Sequence, residues 1–237
     1  MKRSFTALVL AVFWAGLCAV AMASSAGPGL GPDEALTKLK EGNLRYVAKA
    51  TVAPRQDAAR RHETATTGQH PFATVLACSD SRVPVEVIFD QGIGDIFTVR
   101  VAGNVAAADE LGTIEYGAEH LGVPLVVVMG HTKCGAVTAV VKNEPVSGNL
   151  ATLASSIVPA VKAVKSRFAT TDVNELVDKA IEANVWQAIS DMYANSPVLK
   201  KMAASGKIKV VGALYDIDSG EVHWLGEHPR ADSLLGK

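Results

Sequence analysis

The chain has 237 residues, 49% hydrophobic and 20% charged, with 23 basic against 24 acidic side chains and a formal net charge of −1. That length fits one domain, and the near-neutral balance offers no basic surface for nucleic acid. No internal repeat and no low-complexity tract beyond a short leader appear, so fibrous and disordered classes are excluded.

In chain order, Lys2-Arg3, the apolar run from Phe5 to Val20 and Ala21-Met22-Ala23 read as a secretory signal over 1–23, cleaved before Ser24. Two alternatives weigh less. A retained anchor would need about 17–25 apolar residues, and this run is at the short end; lipidation at Cys18 would place bulky Leu17 where a small residue belongs. The expectation is a periplasmic or secreted protein with no membrane attachment after cleavage. Residues 24–32, rich in Ser, Gly and Pro, form a flexible leader, and 33–237 form the folded domain.

From Asp33, Leu36, Leu39, Leu44 and Val47 recur at helical spacing behind an acidic start. This amphipathic helix is expected to lie on its own sheet or on a neighbouring subunit. Residues 51–70 are polar, with Arg55, Arg60, Arg61 and His62 on a solvated helix or loop. The run 72–77 is a buried strand, and Pro84 opens a short helix through Phe89. After the turn 90–95, whose glycines do not make a dinucleotide fingerprint, Ile96–Val101 is a second strand. A helix over 109–121 leads into a third strand at 123–130, and another runs from Cys134 to about Val141. The stretch 151–190 holds two helical patterns broken near 169–172, with Thr171 as the expected N-cap, and Ser196-Pro197 starts one more helix. Residues 208–216 are a fourth strand, turned by Asp218-Ser219-Gly220 into an antiparallel edge strand at 221–224. The predicted fold is a single α/β domain, a mainly parallel sheet of about four strands plus that edge strand, flanked by helices, with a protruding N-terminal helix.

Two strands end in chemistry. The first delivers Ala77-Cys78-Ser79-Asp80-Ser81-Arg82 and the third delivers His131-Thr132-Lys133-Cys134-Gly135, and the carboxyl ends of parallel strands are where open α/β sheets bind ligands. Two thiols, an imidazole and a nearby carboxylate suit Zn²⁺, which accepts thiolate and imidazole together. A disulfide between Cys78 and Cys134 is the rival reading in an exported protein, but it requires neither Asp80-x-Arg82 nor His131-x-x.

The segments Cys78-Ser79-Asp80-Ser81-Arg82 and Gly130-His131-Thr132-Lys133-Cys134-Gly135 resemble the two signature segments of the β-class carbonic anhydrases, and landmarks of that family extend from Asp33 to about Leu225. The resemblance implies one Zn²⁺ per subunit held by Cys78, His131 and Cys134, with Asp80 as a fourth ligand in a closed state. It implies reversible hydration of carbon dioxide to bicarbonate by a zinc-bound hydroxide, oriented by an Asp80–Arg82 dyad. Gln69, nine residues before the first cysteine, would orient the substrate, and Phe97 and Tyr116 would line a pocket at a subunit interface, although both also suit ordinary core packing. The remaining histidines lack a thiol or carboxylate at ligand spacing, and one of them is left to shuttle protons. A homodimer or tetramer follows from the same likeness. Members closed by bicarbonate carry a tryptophan where this chain has Val75, so an open site with Asp80 on Arg82 is expected; Arg100, at a position suited to an anion, does not discriminate. Rival readings are hydrolysis of carbon disulfide or carbonyl sulfide on the same fold and a non-catalytic zinc- or anion-binding protein.

Overall fold

The computed structural model describes residues 29–237, so the signal segment and most of the leader lie outside the described residues. The elements run α1 (Pro32–Val47), α2 (Ala58–Thr67), β1 (Ala73–Ala77), α3 (Val85–Ile88), β2 (Ile96–Arg100), α4 (Ala108–Glu119), β3 (Leu125–His131) and α5 (Gly135–Val141). They continue with α6 (Gly148–Ser155), α7 (Val158–Arg167), α8 (Val173–Asn195), α9 (Pro197–Ala204), β4 (Lys209–Tyr215), β5 (Val222–Gly226) and α10 (Ala231–Leu235). The five strands form one sheet in the order β2-β1-β3-β4-β5. The first four run parallel, and β5 pairs antiparallel with β4 at the edge. Among the described residues no helix is long and apolar enough to cross a membrane.

The central strands are buried along their whole length because helices cover both faces. Side chains alternate with period two. Val75 and Ala77 of β1 and Val127 and Met129 of β3 pack with α1 and α3 on one face. Leu76, Val126 and Val128 pack with α4, α8 and α9 on the other. A third apolar cluster, from α5, α7 and α8, closes over the carboxyl ends of β1 and β3 around Cys78 and Cys134. The sheet therefore delivers its two signature segments into a dry corner.

Three expectations are corrected. The helix α1 does not protrude: Ala35 and Leu39 are fully buried against its own sheet. The cause is Gly42, where any Cβ would lie 1.8 Å from the Phe89 carbonyl oxygen, so only glycine lets the backbones come this close. Asn43 stitches the contact, its Nδ2 donating to the carbonyls of Ile88 and Gly220 and its Oδ1 accepting from the Val222 amide. Only the second half of the apolar stripe, at Leu44 and Val47, faces outward. Between 148 and 195 there are three helices, α6, α7 and α8, the extra break falling at Ile157 just before Pro159. The N-cap of α8 is Asp172, which accepts from the Asn174 amide; the neighbouring Thr170 hydroxyl accepts from the Asp172 amide, and Thr171 caps nothing.

Candidate metal centre and active site

Cys78 follows the last residue of β1, His131 ends β3, and Cys134 caps α5 after a two-residue turn in which Lys133 takes a left-handed φ of 57°. Because β1 and β3 are neighbours, with Ala77 opposite Met129, the two segments emerge side by side. One ligand atom from each of Cys78, His131 and Cys134 lies within 4.8 Å of the other two, and all three residues are buried.

The donor set fits a metal ion. The His131 Nδ1 contacts the Thr132 carbonyl oxygen at 2.9 Å; since a carbonyl only accepts, Nδ1 carries the proton and Nε2 is left as the free nitrogen. That Nε2 is buried and has no hydrogen-bond partner, an orphaned group of the kind a metal satisfies. The Cys78 thiol is pulled down to about 4, first by its hydrogen bond with Cys134, then by the neighbouring His131 ring and by the Gly103 amide, which donates to Sγ at 3.2 Å, against the opposing effect of burial. Cys134 is pushed up by the same sulfur pair and by burial. The two sulfurs share a hydrogen bond, and a cation bound between them would displace the proton in it. Neither cysteine is in a disulfide.

Beside this group stands Asp80. Its carboxylate accepts from Arg82 Nε at 2.9 Å, Arg82 Nη2 at 2.7 Å and the Arg82 amide at 3.0 Å. The Arg82 hydrogen bonds hold the carboxyl well below the usual carboxylate range, so it is ionised at any physiological pH. Asp80 Oδ2 lies 3.9 Å from His131 Nε2, which places a fixed acceptor next to the ligand cluster.

Gln69, Phe97 and Tyr116 are elsewhere. Gln69 precedes β1 while Cys78 follows it, so five strand residues, about 16 Å, separate them. Phe97 is in register with Thr74, near the start of β1, and its ring centroid is 6.0 Å from that of Tyr116. Gln69 and Tyr116 share an open cavity of about 710 Å³, with His70 and His120 on its wall. The structure therefore brings five of the eight expected site residues together and gathers the other three at the opposite end of the sheet. A larger cavity of about 790 Å³, between α4 and α9, contains none of them, so cavity size does not locate this chemistry.

Sequence reasoning missed the supports of the site. The Gly103 amide on Cys78 and the Thr132 carbonyl on His131 are backbone groups, invisible in side-chain patterns. Arg100, at a position suited to an anion, donates to the carbonyls of Cys78 and Asp80; pairing of β1 with β2 was the only available signal.

Comparison with known proteins agrees with the geometry. Residues 73–222 match the family model described as carbonic anhydrase. "Carbonic anhydrase 2" of Mycobacterium tuberculosis is 38% identical over 201 residues, covering 81% of this chain and 92% of the relative. The carbonic anhydrase of Mycolicibacterium smegmatis is 36% identical over 203 residues, covering 82% and 94%. Among solved structures, the β-carbonic anhydrase CafA of Aspergillus fumigatus superposes with a TM-score of 0.69 at 28% identity, covering 86% of this chain and 94% of that one. A β-carbonic anhydrase of Sordaria macrospora, described as tetrameric, gives 0.65 at 27% identity, covering 71% and 87%. With a Cys78–His131–Cys134 group able to hold the zinc that these enzymes use, the chain belongs to the β-class carbonic anhydrase family, enzymes of carbon dioxide hydration.

Proposed function

We propose that this chain hydrates carbon dioxide reversibly at a zinc ion held by Cys78, His131 and Cys134, with Asp80 and Arg82 orienting the attacking water. The observation that carries the reading is the pairing of a buried, unpartnered His131 Nε2 between two cysteines with an ionised carboxylate 3.9 Å away. Zinc, when bound, supplies a Lewis acid that brings the pKa of a water to about 7. The Asp80 carboxylate, held 3.9 Å from His131 Nε2, would accept a hydrogen bond from a water at the ion and so orient it toward the substrate carbon. Arg82 keeps the carboxylate charged and fixes its plane through two parallel N–H···O bonds. Val105, Val137 and Ile157 exclude water from behind the sulfurs.

A second copy completes the site in this reading. Gln69, Phe97 and Tyr116 of the partner subunit would approach over the outward half of α1, where Leu44 and Val47 are 69% and 41% exposed, and over Val52 in the loop that follows. Large apolar side chains in that number on one chain suit a homodimer or tetramer. Export to the periplasm or medium is inferred from residues 1–23 alone. The test of the ligand set is zinc analysis of Cys78→Ser, His131→Ala and Cys134→Ser. Each is expected to lose zinc and activity together, and stoichiometric zinc in any one of them removes that residue from the set.

A further inference from the structure

The turn that carries both a ligand sulfur and the Asp80 carboxylate is gripped from outside by one side chain. Arg100 closes β2 in register with Ala77, the last residue of β1, so its side chain leaves the sheet where β1 becomes a turn. Its Nε donates to the Cys78 carbonyl at 3.0 Å and its Nη2 to the Asp80 carbonyl at 2.6 Å. The strand ladder runs one step further beneath it, from the Val101 amide to the Ala77 carbonyl at 3.1 Å and from the Ser79 amide to the Val101 carbonyl at 3.2 Å. A guanidinium is a rigid planar fork, so two carbonyls bonded to it are fixed relative to one another. The two that Arg100 holds bracket Cys78-Ser79-Asp80. Arg82, the other arginine on Asp80, belongs to the same turn and reaches outside it only to the Lys133 carbonyl, at 3.4 Å, whereas Arg100 ties that turn to the sheet.

We propose that Arg100 is a positioning residue: by clamping the carbonyls of Cys78 and Asp80 it sets the carboxylate against the ligand cluster, so that turnover and zinc retention both depend on it. The proposal rests on the roles given to Cys78 and Asp80 above, and its tests separate the two. Arg100→Ala and Arg100→Lys would be measured as full-length zinc enzymes by stopped-flow carbon dioxide hydration, by zinc transfer to a chromophoric chelator and by thermal melting. Arg100→Ala is expected to lower kcat by about tenfold with KM changed by less than about twofold, because the loss is of transition-state alignment. Zinc transfer should be about fivefold faster, since Cys78 is less well held. Arg100→Lys should fall between, keeping the charge but not the fork. In an Asp80→Asn background, Arg100→Ala should lower kcat by less than about a further twofold, because residues acting through one another are not additive.

A kcat for Arg100→Ala within about twofold of wild type, or a full additional tenfold loss on top of Asp80→Asn, would overturn the proposal. If Asp80→Asn itself keeps wild-type kcat, the reading of Asp80 has failed; zinc transfer then decides for Arg100, faster transfer supporting the clamp and unchanged transfer overturning it. Should Arg100→Ala not fold, Arg100→Lys carries the same comparisons.

Discussion

Asp80→Asn is the sharpest perturbation of the proposed mechanism, because it removes one charge at nearly constant volume. Three donors of Arg82 converge on the carboxylate, at 2.7, 2.9 and 3.0 Å. An amide has one acceptor oxygen, so whichever way it turns, its NH₂ meets either an Arg82 N–H or the position of the attacking water. The variant therefore loses one charge-assisted hydrogen bond outright, worth about 1.5–3 kcal/mol. At 1.36 kcal/mol per decade that is about 10- to 150-fold in kcat. The Arg82 side chain is half exposed, so the ion pair itself adds little to stability and the melting temperature should barely move. Since Arg82 holds the Asp80 carboxyl far below neutrality, removing it should lower the whole pH–rate profile without shifting its midpoint. The assay is stopped-flow hydration of carbon dioxide at verified zinc content. A kcat within about threefold of wild type at full zinc occupancy would refute the orienting role.

Arg45→Ala should cost about 1–3 kcal/mol in urea unfolding, because it leaves the buried Asp90 carboxylate with only the Val52 and Ala53 amides; no loss of stability would contradict the pairing seen in the structure. Burial raises the Asp90 carboxyl, but Arg45 and those amides outweigh it and leave the group below its ordinary value. A depressed carboxylate stabilises the fold above its unfolded pKa of about 3.9, and that contribution disappears as the pH falls through the folded value; equal unfolding midpoints at pH 3 and pH 6 would be inconsistent with it. Prolonged chelation in air should link Cys78 to Cys134, dioxygen taking the two electrons, so that recovery needs both a thiol reductant and zinc; recovery with zinc alone would tell against it. Leu44→Glu should weaken self-association and depress activity together, whereas a fully active monomer in light scattering would sink the shared site.

The meeting of Cys78, His131 and Cys134 was legible because Cys78 and His131 sit where strands stop, with Cys134 one turn further on, and a continuous apolar run marks such a point without knowledge of the fold. The parallel sheet with its antiparallel edge strand followed from alternation of apolar runs with helical patterns, whereas the strand order β2-β1-β3-β4-β5 came only with the structure. The course of α1 was not legible: its apolar spacing says one face is buried but not against what, and the deciding contact is the backbone of Gly42 on Phe89. Thr171 and Asp172 are both good N-caps, and only the Asn174 amide chooses between them. Gln69 and Tyr116 entered through family likeness, and nothing local in the sequence shows that they gather at the far end of β1 from Cys78. The Arg100 clamp depends on how β2 pairs with β1, a non-local fact that no window of residues contains.

Metal content and substrate preference of the purified wild-type protein, measured together, test the central claim most directly. One equivalent of zinc per chain, with stopped-flow turnover of carbon dioxide far above that of carbon disulfide or carbonyl sulfide, is the predicted result. Fully zinc-loaded protein that leaves carbon dioxide unhydrated, or that turns over the sulfur analogues faster, would contradict it.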